Sequence, residues 1–239
     1  MSEGEHGADD PACGPWEALG LLVLGLVIAG VAARLPTTPS TFVGAVQPLV
    51  MFLGWIGPAY ALASWRGRDP LVAHAVIRPV DGRLPAALVS LAVLALFVGG
   101  WVGWARWSGV PATGDPGEVT RTAIEWLLWG TLFVALPEEY FFRGVLQPAL
   151  DRPGQRALRV LGADLGRGAL LGAVAFGASH VLLDLVTTGA TSPLRAATFF
   201  PALWFAWLRA RTGSVVPAVL AHGVANAVFV ACRDLFDAM

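Results

Sequence analysis

Long apolar runs, separated by short connections rich in Pro, Gly and Arg, constrain the fold of this chain more than any other feature. A helix that crosses a bilayer needs about 20 mostly apolar residues, because its backbone polar groups must pair within the segment. Charged residues make up 14% of the chain, whereas soluble domains contain about 25%. The sequence therefore predicts an all-α membrane protein.

Seven apolar segments predict a polytopic transmembrane helix bundle of seven to eight membrane helices. The predicted spans are 15–34, 43–65, 85–107, 121–143, 168–187, 194–210 and 213–232. The fourth is expected to continue as a helix to residue 150. The connections between the spans are too short to contain a soluble domain.

The distribution of basic residues predicts the orientation of this bundle. All sixteen cationic residues are Arg, and ten of them lie on the side that holds the N-terminus and the loops 66–83, 151–167 and 209–213. Five lie on the other side. Because loops rich in Arg stay preferentially in the cytoplasm, the N-terminus is predicted to be cytoplasmic.

Charge and cysteine content exclude two classes of function. A net charge of −1 gives no electrostatic reason to expect a nucleic-acid partner. Cys13 and Cys232 lie near opposite ends of the chain and form neither a CxxC motif nor a Cys/His metal motif, so a disulfide or redox site is not expected. The first residues lack the positive region of a secretory signal peptide, and the first apolar run is expected to remain in the mature protein.

Ionisable side chains inside membrane spans cost about 2.5–3.5 kcal/mol each on insertion scales, so their positions are informative. The first cluster of such residues contains Glu138, Glu139 and Arg143. Glu139 and Arg143 are i, i+4 neighbours and can pair, whereas Glu138 is turned roughly 100° away and can face another partner. A salt bridge at a helix end is the structural alternative for this cluster.

The second cluster places Phe176 and His180 on one helical face, with small residues between them that allow close helix packing. Taken alone, His180 is better explained as a core histidine that bonds a backbone carbonyl than as a catalytic residue. Asp184 lies one turn further along, where it could accept a hydrogen bond from His180 and fix its tautomer, or simply lie at the interface near Thr187.

The third cluster places His222 and Asn226 at i, i+4 spacing within an apolar run. Polar contacts that hold membrane helices together are the alternative function of such residues. Across the three clusters, however, a carboxylate, two imidazoles and an amide lie on three separate spans. They supply the general base, the orienting partner and the oxyanion donors that hydrolysis of a peptide bond requires.

Three ordered motifs resemble those of a known family. EEYFFRG at 138–144, FGASH at 176–180 and HGVAN at 222–226 are similar to the EExxxR, FxxxH and HxxxN motifs of the CPBP intramembrane proteases. This family includes the type II CAAX prenyl endopeptidases and the bacterial Abi-type proteins. The resemblance implies that Glu139 and Arg143 support the first of the three helices.

The resemblance also implies a role for each of the other site residues. Glu138 would be the general base, His180 would position the attacking water, and His222 and Asn226 would stabilise the oxyanion. Zinc held by Glu138, His180 and His222 is the mechanistic alternative, because members of the family were long described as metalloproteases. The sequence contains no HExxH motif, and we expect a metal-free glutamic peptidase without a cofactor.

The resemblance covers 120–232 and suggests a division of the chain. We expect an acidic cytoplasmic tail at 1–14, accessory transmembrane helices at 15–119, the catalytic transmembrane core at 120–232 and a short C-terminal tail at 233–239. The expected partners are the lipid bilayer and a membrane-anchored protein or peptide substrate.

The absence of Lys and the abundance of Ala, Gly and Arg suggest a high-GC bacterium, and hence a location in the bacterial cytoplasmic membrane. Prenylated CAAX proteins are not expected there, so processing of C-terminal sorting signals or peptide precursors is preferred to CAAX prenyl-protein cleavage. Two non-enzymatic alternatives are a proton-coupled transporter, against which the absence of an internal inverted repeat argues, and an immunity-type membrane protein.

Overall fold

The computed structural model describes residues 13–34, 43–73, 83–151 and 157–236. In these ranges the chain is predominantly helical, with one two-stranded hairpin, which confirms the predicted all-α class. Nearly all of the predicted tail at 1–14 lies outside the described residues. The predicted division into accessory and catalytic segments stays a prediction.

The described elements follow one another in this order: α1 (Pro15–Ala32), α2 (Val43–Trp65), α3 (Pro70–Ala73), α4 (Arg83–Ser108), α5 (Pro116–Leu150), β1 (Leu158–Val160), β2 (Ala163–Leu165), α6 (Arg167–Thr188), α7 (Pro193–Ala196), α8 (Phe199–Thr212) and α9 (Val216–Phe236).

Within the described part of the chain, α1, α4, α5, α6 and α9 are long and apolar enough to cross a membrane. Large apolar side chains stand exposed on their surfaces, among them Leu88, Leu96 and Trp107 of α4. Such an outward-facing apolar surface is what lipid requires, because lipid tails solvate apolar side chains as well as the protein interior does. The number of seven to eight spans stays a prediction.

The span predicted at 194–210 is wrong. The helix breaks between Ala196 and Phe199, and α8 has 14 residues, which corresponds to about 21 Å at 1.5 Å per residue. The hydrocarbon core is about 30 Å thick, so α8 alone does not cross it. Trp204, Phe205 and the residues around them are buried, so this segment is apolar because it packs inside the protein.

Helix α5 runs from Pro116 to Leu150, which confirms the expected continuation to residue 150. Asp115 begins it, because its side chain accepts a hydrogen bond from Glu118 N at 2.9 Å. The stretches Trp126–Ala135 and Tyr140–Leu146 are π-helical. Pro137 lies between them and has no N–H to continue the ordinary pattern. Such wider turns are rare and occur frequently at functional sites, where they redirect side chains.

Two close contacts hold α5 between its neighbours. Trp55 of α2 packs on the rings of Phe141 and Phe142, with centroids 5.0 and 5.5 Å apart. A Cβ added at Gly223 of α9 would overlap the side chain of Thr131 on α5. Only glycine permits this approach, so the helix that carries the HGVAN motif is fixed directly against the helix that carries the glutamates.

The predicted loop at 151–167 contains an antiparallel hairpin, β1–β2, that sequence reasoning missed. Leu161 and Gly162 form its turn, and both have positive φ, as tight two-residue hairpin turns of type I′ require. Trp207 Nε1 donates a hydrogen bond to Val160 O at 2.9 Å, so the hairpin is attached to α8.

Candidate active site

Glu139 and Arg143 form a buried ion pair on α5, as their i, i+4 spacing predicts. Arg143 Nε lies 3.0 Å from Glu139 Oε2, and their side chains are 2% and 0% exposed. A charged pair this deep in the protein is expensive to desolvate, so its other atoms need partners as well. Ala202 O supplies a partner for Arg143, and His222 supplies one for Glu139.

The guanidinium of Arg143 is fixed by neighbours on α6 and α8. Arg143 Nη2 donates to Ala202 O at 2.9 Å. The guanidinium carbon lies 4.8 Å from the ring centroid of Phe176 and 5.5 Å from that of Phe205. Stacking of a guanidinium on aromatic faces is attractive and restricts its rotation. Arg143 therefore joins three helices at one point.

His222 lies between the two glutamates. Its Nδ1 is 2.9 Å from Glu139 Oε1, and its Nε2 is 3.9 Å from Glu138 Oε2. The ring is buried and stacks on Phe205 with 4.8 Å between centroids. Because a carboxylate only accepts, an ionised Glu139 places a proton on Nδ1 and leaves Nε2 directed toward Glu138.

The contact between Glu139 and His222 was not predicted from the sequence, which paired Glu139 with Arg143 alone. A buried carboxylate has two oxygens that both need donors, and this requirement was the available signal. Ala202 and Phe205 were also missed, since the segment that carries them was interpreted only as a membrane span.

The carboxylate of Glu138 lies close to His222 but is not hydrogen-bonded to it. Its side chain is 12% exposed. Within the described residues, Oε2 is buried and has no hydrogen-bond partner. The gap of 3.9 Å to His222 Nε2 is too long for a direct hydrogen bond, but a single water molecule can bond both atoms.

His180 has one ring nitrogen bound to its own helix. Nδ1 lies 2.9 Å from Phe176 O. A carbonyl only accepts, so Nδ1 carries the proton and, in a neutral ring, Nε2 is a proton acceptor. This is the backbone contact of the core-histidine alternative, and it is compatible with a role for the other nitrogen.

The expectation that Asp184 fixes the tautomer of His180 is wrong. Arg195 Nε binds Asp184 Oδ2 at 2.7 Å, so this carboxylate pairs with the short helix α7. The carbonyl of Phe176 takes the expected role instead. Thr187 Oγ1 lies 3.4 Å from Asp184 O, and the alternative position of Asp184 at the membrane interface stays a prediction.

Phe176 brings the three motifs together. Its ring centroid lies 4.5 Å from that of His180, 5.8 Å from that of His222 and 5.0 Å from that of Phe142. Helices α5, α6 and α9 therefore converge, as predicted for spans four, five and seven. Asn226 lies one turn beyond His222 on α9 and is partly buried.

The donor geometry does not fit the alternative zinc site of Glu138, His180 and His222. No group of three or more His, Cys, Asp or Glu side chains in the described ranges could hold a metal ion. The Nδ1 atoms of both histidines are bonded to other partners, Glu139 Oε1 and Phe176 O, so Nε2 is the ring nitrogen that each could offer to a ligand.

Comparison with known proteins identifies one family. Residues 120–228 match its sequence model, which is described as Type II CAAX prenyl endopeptidase Rce1-like. The matched segment contains all three motifs, from the glutamates of α5 to Asn226 of α9. No curated protein and no solved structure matches the chain.

Proposed function

We propose that the protein is a glutamic intramembrane endopeptidase, because residues 120–228 match the model of the Rce1-like family of type II CAAX prenyl endopeptidases. It hydrolyses a peptide bond in a membrane-associated protein or peptide. One observation carries the proposal: Glu138 has a buried oxygen without a hydrogen-bond partner in the described residues, 3.9 Å from His222 Nε2.

In the proposed reaction, a water molecule binds between Glu138 and the histidines. Glu138 takes one proton from this water as the oxygen attacks the scissile carbonyl carbon. His180 Nε2 accepts a hydrogen bond from the remaining O–H, which stays on the oxygen, and so orients the water. The tetrahedral oxyanion is stabilised by donors from His222 and Asn226. When the C–N bond breaks, Glu138 returns the proton to the leaving amine, so the base is regenerated.

Glu139 and Arg143 are positioning residues in this scheme. Donation from both ring nitrogens of His222, from Nδ1 to Glu139 and from Nε2 to the oxyanion, requires a proton on each nitrogen. The Glu139 carboxylate at Nδ1 holds the ring in the orientation that directs Nε2 toward Glu138. Arg143 holds the carboxylate in place and is itself fixed by Ala202 O and the surrounding rings.

The substrate is proposed to be a membrane-tethered segment, such as a C-terminal sorting signal or a peptide precursor, in a bacterial cytoplasmic membrane with the N-terminus of the enzyme in the cytoplasm. The family description favours a second candidate, the prenylated CAAX tail. The apolar surfaces of α4 and α5 are consistent with either, because both substrates are presented at a bilayer.

The test compares wild type with Glu138→Ala in liposomes. Each is incubated with a panel of sorting-signal peptides, peptide precursors and prenylated CAAX peptides, with and without a chelator, and cleavage is scored by mass spectrometry. We expect cleavage by the wild type alone, unaffected by chelator. Equal cleavage by the variant would overturn the role of Glu138, and loss of cleavage with chelator would establish the metal alternative.

A further inference from the structure

A polar cavity of about 150 Å³ lies beside the buried ion pair, at the C-terminal end of α5. We call it the polar chamber. The side chains that decide its chemistry are Arg143, Gln147, Asp151, Asp164 and Arg209. Asp164, on β2, is exposed, so the outer end of the chamber lies on the side of the hairpin.

Arg143 and Gln147, which line the polar chamber, each have a buried side-chain atom with no hydrogen-bond partner within the described residues, Arg143 Nη1 and Gln147 Oε1. Their residues are 1% and 5% exposed. Buried polar atoms in native proteins are almost always bonded, to the protein or to ordered water. Both atoms therefore require a ligand in the chamber.

The pairing of one donor with one acceptor identifies the ligand. Arg143 Nη1 can only donate, and Gln147 Oε1 can only accept. An anion would satisfy Arg143 alone and would meet the carboxylates of Asp151 and Asp164, while a cation would meet Arg143 and Arg209. Water accepts from one atom and donates to the other, and the volume exceeds the ~10–15 Å³ that one water needs.

We propose that the polar chamber is a water-binding site that hydrates the Glu139–Arg143 pair from the side of the hairpin. Arg143 lies seven residues before the end of α5, which corresponds to a depth of about 10 Å. The chamber thus brings water toward a charged pair that protein side chains otherwise enclose. A second role, supply of the attacking water, rests on the proposed function.

Radiolytic hydroxyl-radical footprinting of the full chain in lipid nanodiscs tests the occupancy, because radicals form from the water that contacts a side chain. Pro148 lines the chamber and reports on it. Ala210→Leu adds a side chain into the chamber. Ala123→Leu is the matched control, since it makes the same change in an apolar groove between α5 and α9.

We expect oxidation of Pro148 in wild type and in Ala123→Leu, and its loss in Ala210→Leu. If Ala210→Leu does not fold, the smaller substitution Ala210→Val is measured in its place, with the same expected loss of oxidation. Absence of oxidation in wild type, or equal oxidation in the chamber-filling variant, would overturn the proposal.

This measurement needs no substrate, so it decides the occupancy even if no peptide is cleaved. On a cleaved peptide, Ala210→Leu is expected to lower kcat with KM retained. An unchanged kcat would overturn the supply role.

Discussion

Arg143 and Arg121 lie on the same helix, and each pairs with a glutamate four residues away, but their environments are opposite. Arg143 and Glu139 are almost completely buried. Arg121 binds Glu125 at 2.7 Å and Glu118 at 2.6 Å on a surface where all three side chains are more than half exposed. Replacement of each arginine by methionine therefore compares a buried with an exposed ion pair.

Arg143→Met is expected to lower the free energy of unfolding by about 3–5 kcal/mol, because removal of one partner leaves the other charge buried. It also removes the donor to Ala202 O and the contacts with the surrounding rings. Glu139 keeps its hydrogen bond with His222, which favours the lower end of this range. Arg121→Met is expected to have little measurable effect, since solvent screens exposed pairs.

The assay is unfolding by SDS in mixed micelles, followed by tryptophan fluorescence and by helical circular dichroism. The double variant Glu139→Gln/Arg143→Met should recover part of the lost stability, because the uncompensated charge is gone. If Arg143→Met destabilised the protein no more than Arg121→Met, the conclusion that Glu139 and Arg143 form a charged ion pair in the core would be refuted.

Three further changes test local contacts. Gly223→Ala should lower the free energy of unfolding by about 1–3 kcal/mol through overpacking, and Thr131→Ala in the same chain should restore part of it by removing the hydroxyl that the added Cβ would overlap. Equal stability of Gly223→Ala and wild type in the unfolding assay would contradict this contact. Asp151→Ala should cost about 1 kcal/mol by removing the acceptor at the start of α6, whereas Asp151→Asn should be nearly neutral, because it keeps that acceptor and burial raises the pKa of the carboxyl. Burial raises the pKa of the Cys13 thiol to about 11, so a maleimide at neutral pH should label it only after unfolding, and rapid labelling of the folded protein would disprove its burial.

Local features of this protein follow from the sequence because they depend on nearby residues. Apolar length predicts α1, α4, α5, α6 and α9 as spans. It fails for α8, whose apolar residues face the protein, because hydropathy does not distinguish lipid from a core. The π-helical stretches of α5 depend on its packing as well as on Pro137, and no sequence period indicates them.

In the candidate active site, too, contacts within one helix follow from the sequence and contacts between helices do not. The pairing of Glu139 with Arg143 follows from the helical period within one element. The hydrogen bond between Glu139 and His222 depends on the approach of α9 to α5. The two residues lie 83 positions apart, and no sequence pattern predicts that approach. Asp184 was assigned wrongly because its partner, Arg195, lies on a separate short helix.

The central claim is that Glu138 activates the water, and one kinetic comparison tests it most directly. Glu138→Gln keeps the size of the side chain but removes the base, and Glu118→Gln is the control at an exposed position of the same helix. On a peptide that the wild type cleaves, we expect Glu138→Gln to lower kcat by about 10²–10⁴-fold with KM retained, and Glu118→Gln to leave both unchanged. A Glu138→Gln enzyme whose kcat stays within about tenfold of wild type would contradict the account.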